Sequence, residues 1–439
     1  MSLASTVEHG TLRSIIRDGL MHARSRTLAL VDCVREDDQR AQHSPLMSPM
    51  VWDLAHIGNY EELWLLRAID GRAAIDPALD DLYNAFEHPR WKRPSLPILS
   101  PADARSYVQQ VRTAALDLLD RVRFDDDALL RDGFVYGMVI QHEHQHDETL
   151  LATHQLMLEH ALRPPGSSLE RDGTRVTIES DEVLVPGGRF AMGTSVDPWA
   201  YDNERPAHGV DVAPFHMDTT PVTNAAFTRF IDDGAYDEPA HWTAEGWQWR
   251  VDEAAEHPQF WRRNGEGWEL LRFGRWVPVD PDEPVQHVSW HEASAYASWI
   301  GRRLPTETEW EFAATFHPDE GKRRYPWGDQ APGPEHANLG QRHDGPAPVG
   351  TYPAGTSPWG CHQMIGDVWE WTSSTFDGYP GFRSFPYREY SEVFFGDEYR
   401  VLRGGSWATD PVAIRGTFRN WDFPIRRQIF AGFRCARDA

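Results

Sequence analysis

Apolar residues in the first third of the chain recur at spacings of three and four, from Leu12 to about Leu162. This period places them on one face of an α-helix, so the region is predicted to be helical. Two start signals divide it, because Ser48-Pro49 and Ser100-Pro101 each offer an N-cap serine followed by proline at the first helical position. Four long helices joined by loops favour an antiparallel bundle, which we place over residues 1–165.

The pattern changes after Ala161, where a polar stretch with proline and glycine predicts a linker over residues 166–182. In residues 183–439, short strand-like runs such as Leu184-Val185 and Arg400-Val401-Leu402 alternate with turns. Two helices there are indicated by capping boxes, formed by Ser289 with Glu292 and by Thr306 with Glu309. The sequence therefore predicts an α+β protein, with a four-helix bundle followed by a strand-rich domain.

Charge and cysteine content narrow the possible partners and the compartment. The formal net charge is -24 over 439 residues, which disfavours nucleic acid and anionic membrane surfaces as partners. Cys33, Cys361 and Cys435 are scattered and form no Cys-x-x-Cys pair, which is typical of a reducing compartment. No apolar run approaches the length of a membrane span. We therefore expect a cytoplasmic protein that acts on small molecules.

The densest cluster of candidate metal ligands lies in the last helix of the bundle, in the run from Gln141 to Glu148. Successive helical residues turn by about 100°, so His142 and His146 share one face and can hold one metal ion. His144 and Glu148 fall on another face, which makes Glu148 a better brace than ligand. Gln145 lies about 60° from His142, where it could face a molecule bound beside the metal. The alternative is a solvated polar stretch of a bundle helix.

A third ligand should come from another helix of the bundle. His56 is the best candidate, because it lies two turns into the helix that follows Ser48-Pro49, among residues suited to a core. The alternative is a core histidine that hydrogen-bonds to a neighbour. His43 and His88 lie nearer loop-like sequence, and His154 lies about two turns past His146 on a diverging face, so they are less attractive.

The second half of the chain resembles the formylglycine-generating-enzyme-like domain, a variant of the C-type lectin fold. Eight blocks carry the resemblance: Pro186 to Gly193, Glu204 to Pro206, Pro221 to Asn224, Arg303 to Glu307, Tyr325 to Gly328, Gly366 to Trp371, Arg403 to Trp407 and Gly432 to Arg434. Formylglycine-generating enzymes use cysteine thiolates. Cys361 and Cys435 each lie within or beside a scaffold motif, so we interpret both as ordinary buried residues.

The first half resembles the DinB-like metal-binding bundle, and the two halves together resemble the iron-dependent sulfoxide synthases of ergothioneine biosynthesis. The motifs that agree run from Trp52 to Gly58, from His142 to Glu148, and from Asn420 to Gln428. The resemblance implies Fe(II) held by His56, His142 and His146, in a cleft between the two domains. Three imidazoles on octahedral Fe(II) leave three open positions, whereas zinc prefers tetrahedral sites and has no redox chemistry.

The resemblance also implies two organic substrates besides O2. They are γ-glutamylcysteine and hercynine, which is N-α-trimethylhistidine. The residues implied for γ-glutamylcysteine are Arg90, Arg93, Asp422 and Arg426. Those implied for hercynine are Gln145, Tyr390 and Asn420, and the Trp421 ring could face the quaternary ammonium. Tyr387 is implied as a catalytic proton donor.

Three alternatives stay open at this point. The sulfur donor could be cysteine, or a selenium compound could replace it, although the four charged residues favour the dipeptide. Enzymes of the ovothiol type usually carry a further methyltransferase domain, which we do not expect here. Both folds also have members that only bind, so a non-catalytic metal-binding or ligand-binding module is the alternative from another class. Whether the second domain holds a structural cation is left open.

Overall fold

The computed structural model describes residues 3–124, 127–157, 175–178, 181–265 and 267–439. The chain divides into two units, residues 1–165 with 197–199, and residues 166–196 with 200–439. Most of the predicted linker, residues 166–182, and the end of the predicted helical run near Leu162 lie outside the described residues. No helix in the described ranges is long and apolar enough to cross a membrane.

The first unit is built on four long helices, as the apolar period predicts. They are α1 (Leu3–Asp32), α3 (Met50–Glu61), α5 (Pro101–Leu119) and α6 (Phe134–Leu156), with the short helices α2 (Glu36–Arg40) and α4 (Ala78–Leu82) between them. Helix α3 continues as a π-helix over Glu62–Arg67, and a 3₁₀ helix spans Arg90–Ser95. Helix α3 packs against α5 and α6, and α1 packs against α6.

One of the two predicted helix starts is confirmed and the other is wrong. Ser100 caps α5 by accepting a hydrogen bond from the Asp103 N–H, with Pro101 at the first helical position. Helix α3, however, begins at Met50 with Pro49 at the N-cap position and no side-chain cap. The Ser48 hydroxyl accepts a hydrogen bond from Arg93 Nη1 at 2.6 Å instead. The Ser48 hydroxyl therefore bonds to a residue 45 positions away in sequence and does not cap the helix as the local pattern predicted.

A buried ionic cluster joins the four long helices, each of which contributes one residue. Arg24 of α1 donates to Glu61 of α3 at 2.8 Å and to Glu143 of α6 at 2.7 Å. Arg112 of α5 donates to the same two carboxylates, at 2.6 Å each. The side chains are at most 5% exposed. Burial opposes ionisation, but the two guanidinium groups outweigh it and lower the pKa of Glu143 to about 2.

The short segment Asp197–Trp199 belongs to the first unit because it packs on α6. The Trp199 ring lies over Gly137, where a Cβ atom would approach the ring to 2.4 Å. Its indole N–H donates to the Asp132 carbonyl at 3.0 Å, and the Gln141 amide donates to the Trp199 carbonyl at 3.0 Å. This contact fixes helix α6 at the residue that precedes His142.

The second unit is rich in short strands, as predicted. A four-stranded sheet has the order β12 (Asn420–Asp422), β11 (Gly396–Arg403), β10 (Trp369–Phe376), β13 (Ala431–Gly432), and a three-stranded sheet has the order β1 (Glu182–Val185), β4 (Phe215–Asp218), β14 (Ala436–Asp438). The smaller sheets comprise β2 (Gly188–Met192) with β3 (His208–Val212), β5 (Trp261–Asn264) with β6 (Gly267–Arg272) and β7 (Arg275–Pro278), and β8 (Phe316–His317) with β9 (Gly321–Lys322).

Helices α7 (Asn224–Asp232), α8 (Ala244–Asp252), α9 (Trp290–Trp299) and α10 (Glu307–Thr315) complete the second unit. Both predicted capping boxes are confirmed, at the starts of α9 and α10. Two fully buried indoles find acceptors, since Trp310 donates to Glu370 at 2.8 Å and Trp371 donates to the Val288 carbonyl at 3.0 Å. These bonds satisfy the N–H groups that burial removes from water.

The three cysteines are free, as predicted. Cys361 and Cys435 are buried, and Cys33 is exposed. Burial raises the pKa of the Cys361 thiol to about 11 and that of Cys435 well above its usual value. A buried thiol of high pKa is a poor source of thiolate, which fits the interpretation of both residues as core.

Histidine 287 gives the second unit a predictable pH dependence. Its buried ring donates from Nδ1 to the Arg427 carbonyl at 3.1 Å, and burial lowers its pKa from 6.5 to about 3. The unfolded chain therefore binds the extra proton below pH 6.5, and the free energy of unfolding should fall there by about 1.4 kcal/mol per pH unit for this residue. His287→Asn should remove this pH dependence, because asparagine does not titrate in this range. Asparagine is chosen because it tolerates the positive φ of 64° at this position.

Urea unfolding followed between about pH 7.5 and pH 5 tests this expectation. The variant should lose stability less steeply than the unmodified protein on acidification. If the free energy of unfolding falls equally steeply with pH in both proteins, the His287 ring is not kept neutral by burial in the fold.

Candidate metal centre

Three histidines converge in the first unit, one from α3 and two from α6. His56, His142 and His146 offer ligand nitrogens that all lie within 4.8 Å of one another. Their ring centroids are 5.2 Å, 4.9 Å and 4.6 Å apart in the pairs 56–142, 56–146 and 142–146. The i, i+4 spacing on α6 brings two rings to one face, and the packing of α3 on α6 brings the third.

The other histidines of this region have different surroundings. His144 Nδ1 lies 3.1 Å from the Asp147 carboxylate, and His154 Nε2 lies 2.8 Å from the Leu30 carbonyl. His43 Nε2 lies 2.9 Å from the Asp38 carbonyl, and His88 lies 3.7 Å from Asp81. Glu148 is half-buried. The structure thus brings together the three histidines that the sequence singled out.

Neighbouring groups fix the orientation of each ring. His56 Nδ1 donates to the Tyr83 carbonyl at 2.8 Å, which leaves Nε2 with its lone pair available. The Trp52 ring is stacked on His56 at 4.9 Å, and the Tyr60 ring is stacked on His142 at 3.7 Å. His146 Nδ1 lies 3.4 Å from the buried Asp53 carboxylate. A metal-binding histidine commonly contacts a carbonyl or carboxylate through its second nitrogen in this way.

The sequence analysis missed Asp53, Tyr60 and the Tyr83 carbonyl. A signal existed for Asp53, because it lies three residues before His56 and so near its face of α3. The Tyr83 carbonyl could not be found, since it is a backbone group 27 positions from its partner.

Electrostatics favours the neutral imidazole at His56 and His142. Burial, reinforced by His146, lowers the pKa of His56 to about 3 and that of His142 well below its usual value. Burial also opposes ionisation of Asp53, but His146, Arg93 and Arg90 outweigh it and lower the pKa of that carboxyl. Three imidazoles beside a carboxylate form a donor set that fits a first-row transition metal such as Fe(II).

Arg90 and Arg93, which the sequence analysis predicts to bind γ-glutamylcysteine, lie three residues apart in the 3₁₀ helix Arg90–Ser95. This spacing places them on one side of the helix. Arg93 is buried, donates to Ser48 and to the carbonyls of His88 and Ala85, and lies 3.6 Å above the Trp52 ring. Arg90 is more exposed and donates to the Leu46 carbonyl at 2.8 Å. Arg93 therefore has a structural role besides any contact with substrate. Gln145 is half-buried on α6.

The remaining predicted residues lie in the second unit. Tyr387 and Tyr390 are half-buried, with their ring centroids 6.2 Å apart, and Tyr390 is stacked on Tyr201 at 4.1 Å. Strand β12 carries Asn420 and Asp422 on one face and Trp421 on the other. Trp421 is stacked on Phe376 at 4.0 Å. Asp422 accepts a hydrogen bond from Arg426 at 3.2 Å, so the two charged residues are paired with each other.

Comparison with known protein families covers both units. Residues 170–439 match the Sulfatase-modifying factor enzyme 1-like domain, and residues 20–150 match the DinB superfamily. Hercynine oxygenase of Mycolicibacterium thermoresistibile is 51% identical over 428 residues, which cover 95% of this chain and 94% of that one. The Mycobacterium tuberculosis protein of the same name is 52% identical over 424 residues, covering 95% and 97%. The chain belongs to the hercynine oxygenase family.

A third hercynine oxygenase, from Mycolicibacterium smegmatis, is 49% identical over 437 residues and covers 97% of this chain and 99% of its own. The formylglycine-generating enzyme of Streptomyces coelicolor is 34% identical over 324 residues and covers only 64% of this chain. The predicted fold class is therefore confirmed, with a DinB-like bundle and a sulfatase-modifying-factor-like domain. Membership of the hercynine oxygenase family also makes the chain an oxidoreductase and excludes a module that only binds.

Proposed function

We propose that the chain is an Fe(II)- and O2-dependent sulfoxide synthase of ergothioneine biosynthesis. It joins the sulfur of γ-glutamylcysteine to the imidazole C2 of hercynine and oxidises that sulfur. The thiol and the C2–H each lose a hydrogen, one oxygen atom enters the sulfoxide, and the other leaves as water. The observation that carries the proposal is the cluster of three converging histidines in a member of the hercynine oxygenase family.

His56, His142 and His146 would hold the metal through one nitrogen each. Fe(II), when bound, supplies the redox chemistry that couples the reduction of O2 to the oxidation of sulfur and C–S bond formation. Asp53 and the Tyr83 carbonyl keep two of the imidazoles oriented toward the metal. An imidazole that binds a metal carries no charge, so the histidines would leave the charge of Fe(II) uncancelled and the site would attract a thiolate.

Charged side chains would bind γ-glutamylcysteine. Arg90 and Arg93 bind its carboxylates, since the planar fork of guanidinium N–H groups matches a carboxylate. Asp422 and Arg426 bind charged ends of the same peptide, for which their ion pair must rearrange. Holding the dipeptide at several charged points orients its thiol and lowers the entropic cost of reaction.

Hercynine would be bound by Gln145, Tyr390 and Asn420, with Trp421 near its quaternary ammonium. Tyr387 would donate its phenolic proton as oxygen is reduced to water, and would regain one of the two protons that the thiol and the C2–H release. An unperturbed phenol has a pKa of about 10, so it is protonated at neutral pH and can donate a proton. Gln145 and Asn420 carry amides, which can donate or accept hydrogen bonds without changing charge.

Anaerobic reconstitution with Fe(II) followed by exposure to O2 tests the proposal. Hercynine is supplied with either γ-glutamylcysteine or cysteine, products are identified by mass, and oxygen is followed by electrode. Sulfoxide with a preference for the dipeptide supports the proposal. Product from cysteine alone would refute the donor assignment, and absence of oxygen uptake with both donors would refute the reaction.

Arg90→Gln tests the donor assignment separately from the metal. The substitution removes the charge but preserves most of the side-chain length. Loss of one charge-assisted hydrogen bond, worth about 1.5–3 kcal/mol, should raise KM for γ-glutamylcysteine by roughly 10–100-fold, with little change in KM for hercynine. Steady-state kinetics with each substrate varied in turn measures the effect.

Arg121→Gln is the matched control, because Arg121 is an exposed arginine of the same unit, paired with Asp70 at 2.8 Å. This variant should retain both KM values. An Arg90 variant whose KM for the dipeptide equals that of the control would remove Arg90 from the donor site.

A further inference from the structure

Tyr387 and Tyr390 lie in a segment, residues 385–391, whose two ends are tied to one carboxylate. Asp202 Oδ2 accepts a hydrogen bond from the Phe385 N–H at 3.1 Å, and Asp202 Oδ1 accepts one from the Ser391 hydroxyl. Asp202 and Ser391 lie 189 positions apart in sequence and are both buried. We refer to residues 385–391 as the tyrosine segment.

A second set of contacts reinforces this attachment. Asn203 donates from its amide to the Ser391 hydroxyl at 3.1 Å. Tyr201, on the other side of Asp202, is stacked on Tyr390 with an interplanar angle of 18°. Three consecutive residues, 201–203, therefore contact the tyrosine segment at its start, Phe385, and at its end, Tyr390 and Ser391.

Buried hydrogen bonds hold the turn that carries Asp202. Residues Asp202–Glu204 form a 3₁₀ turn in which the Glu204 carboxylate accepts from the Tyr201 N–H at 2.9 Å. The same carboxylate accepts from Arg415 Nε at 2.8 Å and from the Thr417 hydroxyl at 2.6 Å. The Asn203 carbonyl accepts from Arg419 at 2.9 Å. A turn held by so many buried hydrogen bonds can define the position of the segment that is attached to it.

We propose that Asp202 is a positioning residue that holds both ends of the tyrosine segment and thereby sets Tyr387 for the oxygen reaction. This inference rests on the proposed role of Tyr387 as proton donor. Asp202 receives its hydrogen bonds from a hydroxyl and from backbone N–H groups, and burial raises the pKa of its carboxyl to about 6. Burial of an ionised carboxylate at this position costs free energy of folding. The cost is explained if both carboxylate oxygens are needed to accept the hydrogen bonds from Phe385 and Ser391.

Limited trypsin digestion tests the attachment without any need for activity. Arg388 lies inside the tyrosine segment and its side chain is 62% exposed. Asp202→Ala should raise the rate of cleavage after Arg388 by about tenfold, because cleavage follows local opening of the segment. Asp202→Asn should stay near the unmodified rate, since its amide accepts from Phe385 and donates to the Ser391 hydroxyl, which can reverse its role.

The exposed Asp211, paired with Arg189 at 3.3 Å, provides the matched control. Asp211→Ala should be cleaved like the unmodified protein. Ser391→Ala, which removes the attachment at one end only, should show intermediate cleavage and guards against global unfolding of the Asp202 variant. Cleavage of Asp202→Ala at the unmodified rate would overturn the proposal.

Kinetics in two backgrounds tests the link to Tyr387. Asp202→Ala should lower kcat by about 10-fold to 100-fold through misplacement of the phenol, while KM for γ-glutamylcysteine and iron content stay unchanged. In a Tyr387→Phe background the same substitution should have little further effect, because residues that act through one group are not additive. Equal effects in the two backgrounds would overturn the link.

The two proposals can fail separately. If Tyr387→Phe keeps the unmodified kcat, the tyrosine has no role in the proposed reaction and the link to it falls. The digestion still decides whether Asp202 holds the segment. If Tyr387→Phe lowers kcat but Asp202→Ala does not, the proposed function stands and Asp202 is excluded as a positioning residue.

Discussion

His142→Ala should abolish stoichiometric iron binding and lower oxygen uptake by more than about 100-fold, since even outer partners of metal ligands contribute 10–100-fold. The substitution removes one of three converging nitrogens and leaves a cavity beside the Tyr60 ring. Iron content per folded chain, measured by metal analysis after anaerobic loading and desalting, gives the primary result. Oxygen consumption with both organic substrates gives the second.

His154→Gln is the matched control, because His154 is a buried histidine of the same helix whose ring contacts the Leu30 carbonyl. This variant should bind iron at the unmodified stoichiometry even if its stability is lower. Full iron content in His142→Ala, with unmodified activity, would exclude the three-histidine centre. Loss of iron in both variants would indicate a general disturbance of α6 rather than loss of a ligand.

Glu143→Ala should destabilise the first unit by about 3–5 kcal/mol, the usual cost of removing one partner from a buried ion pair. Arg24 and Arg112 would both lose a carboxylate while their guanidinium groups remain buried among the four helices. The stabilisation should also disappear with acid, because the pKa of Glu143 is lowered to about 2. It is present above the unfolded pKa of 4.5 and lost as pH falls toward 2.

Urea unfolding, monitored by a helix signal, measures this loss. Asp120→Ala is the matched control, since Asp120 forms an exposed pair with Arg17 and surface pairs are worth about 0–1 kcal/mol. If the Glu143 variant is as stable as the control, the buried ionic cluster orients the four helices but adds no net free energy of folding.

The sequence predicted those features that depend on neighbours in the chain. The capping boxes at Ser289 and Thr306 are confirmed because their two partners lie three residues apart. The pairing of His142 with His146 follows from the helical period in the same way. The predicted N-cap role of Ser48 is wrong because Arg93, which is distant in sequence, donates to its hydroxyl. The local pattern of residues contains no sign of that interaction.

Contacts between distant parts of the chain were not predictable. Arg24 and Glu143 are 119 positions apart, so nothing in either local sequence identifies them as partners. The candidate site shows the same division. His56 could be selected as a third ligand by elimination, whereas the attachment of the tyrosine segment to Asp202 required the fold.

Under the proposed function, the stack of Arg93 on Trp52 and of Trp52 on His56 limits how the preference for the sulfur donor can be engineered. A library that randomises the whole 3₁₀ helix Arg90–Ser95 would disturb the Trp52 ring that rests on His56, the proposed iron ligand, and we expect many of its members to lose metal rather than to accept a new thiol. Diversity restricted to Arg90, Trp91 and Lys92, with Arg93 and Trp52 retained, separates selection for a new thiol from selection for metal retention.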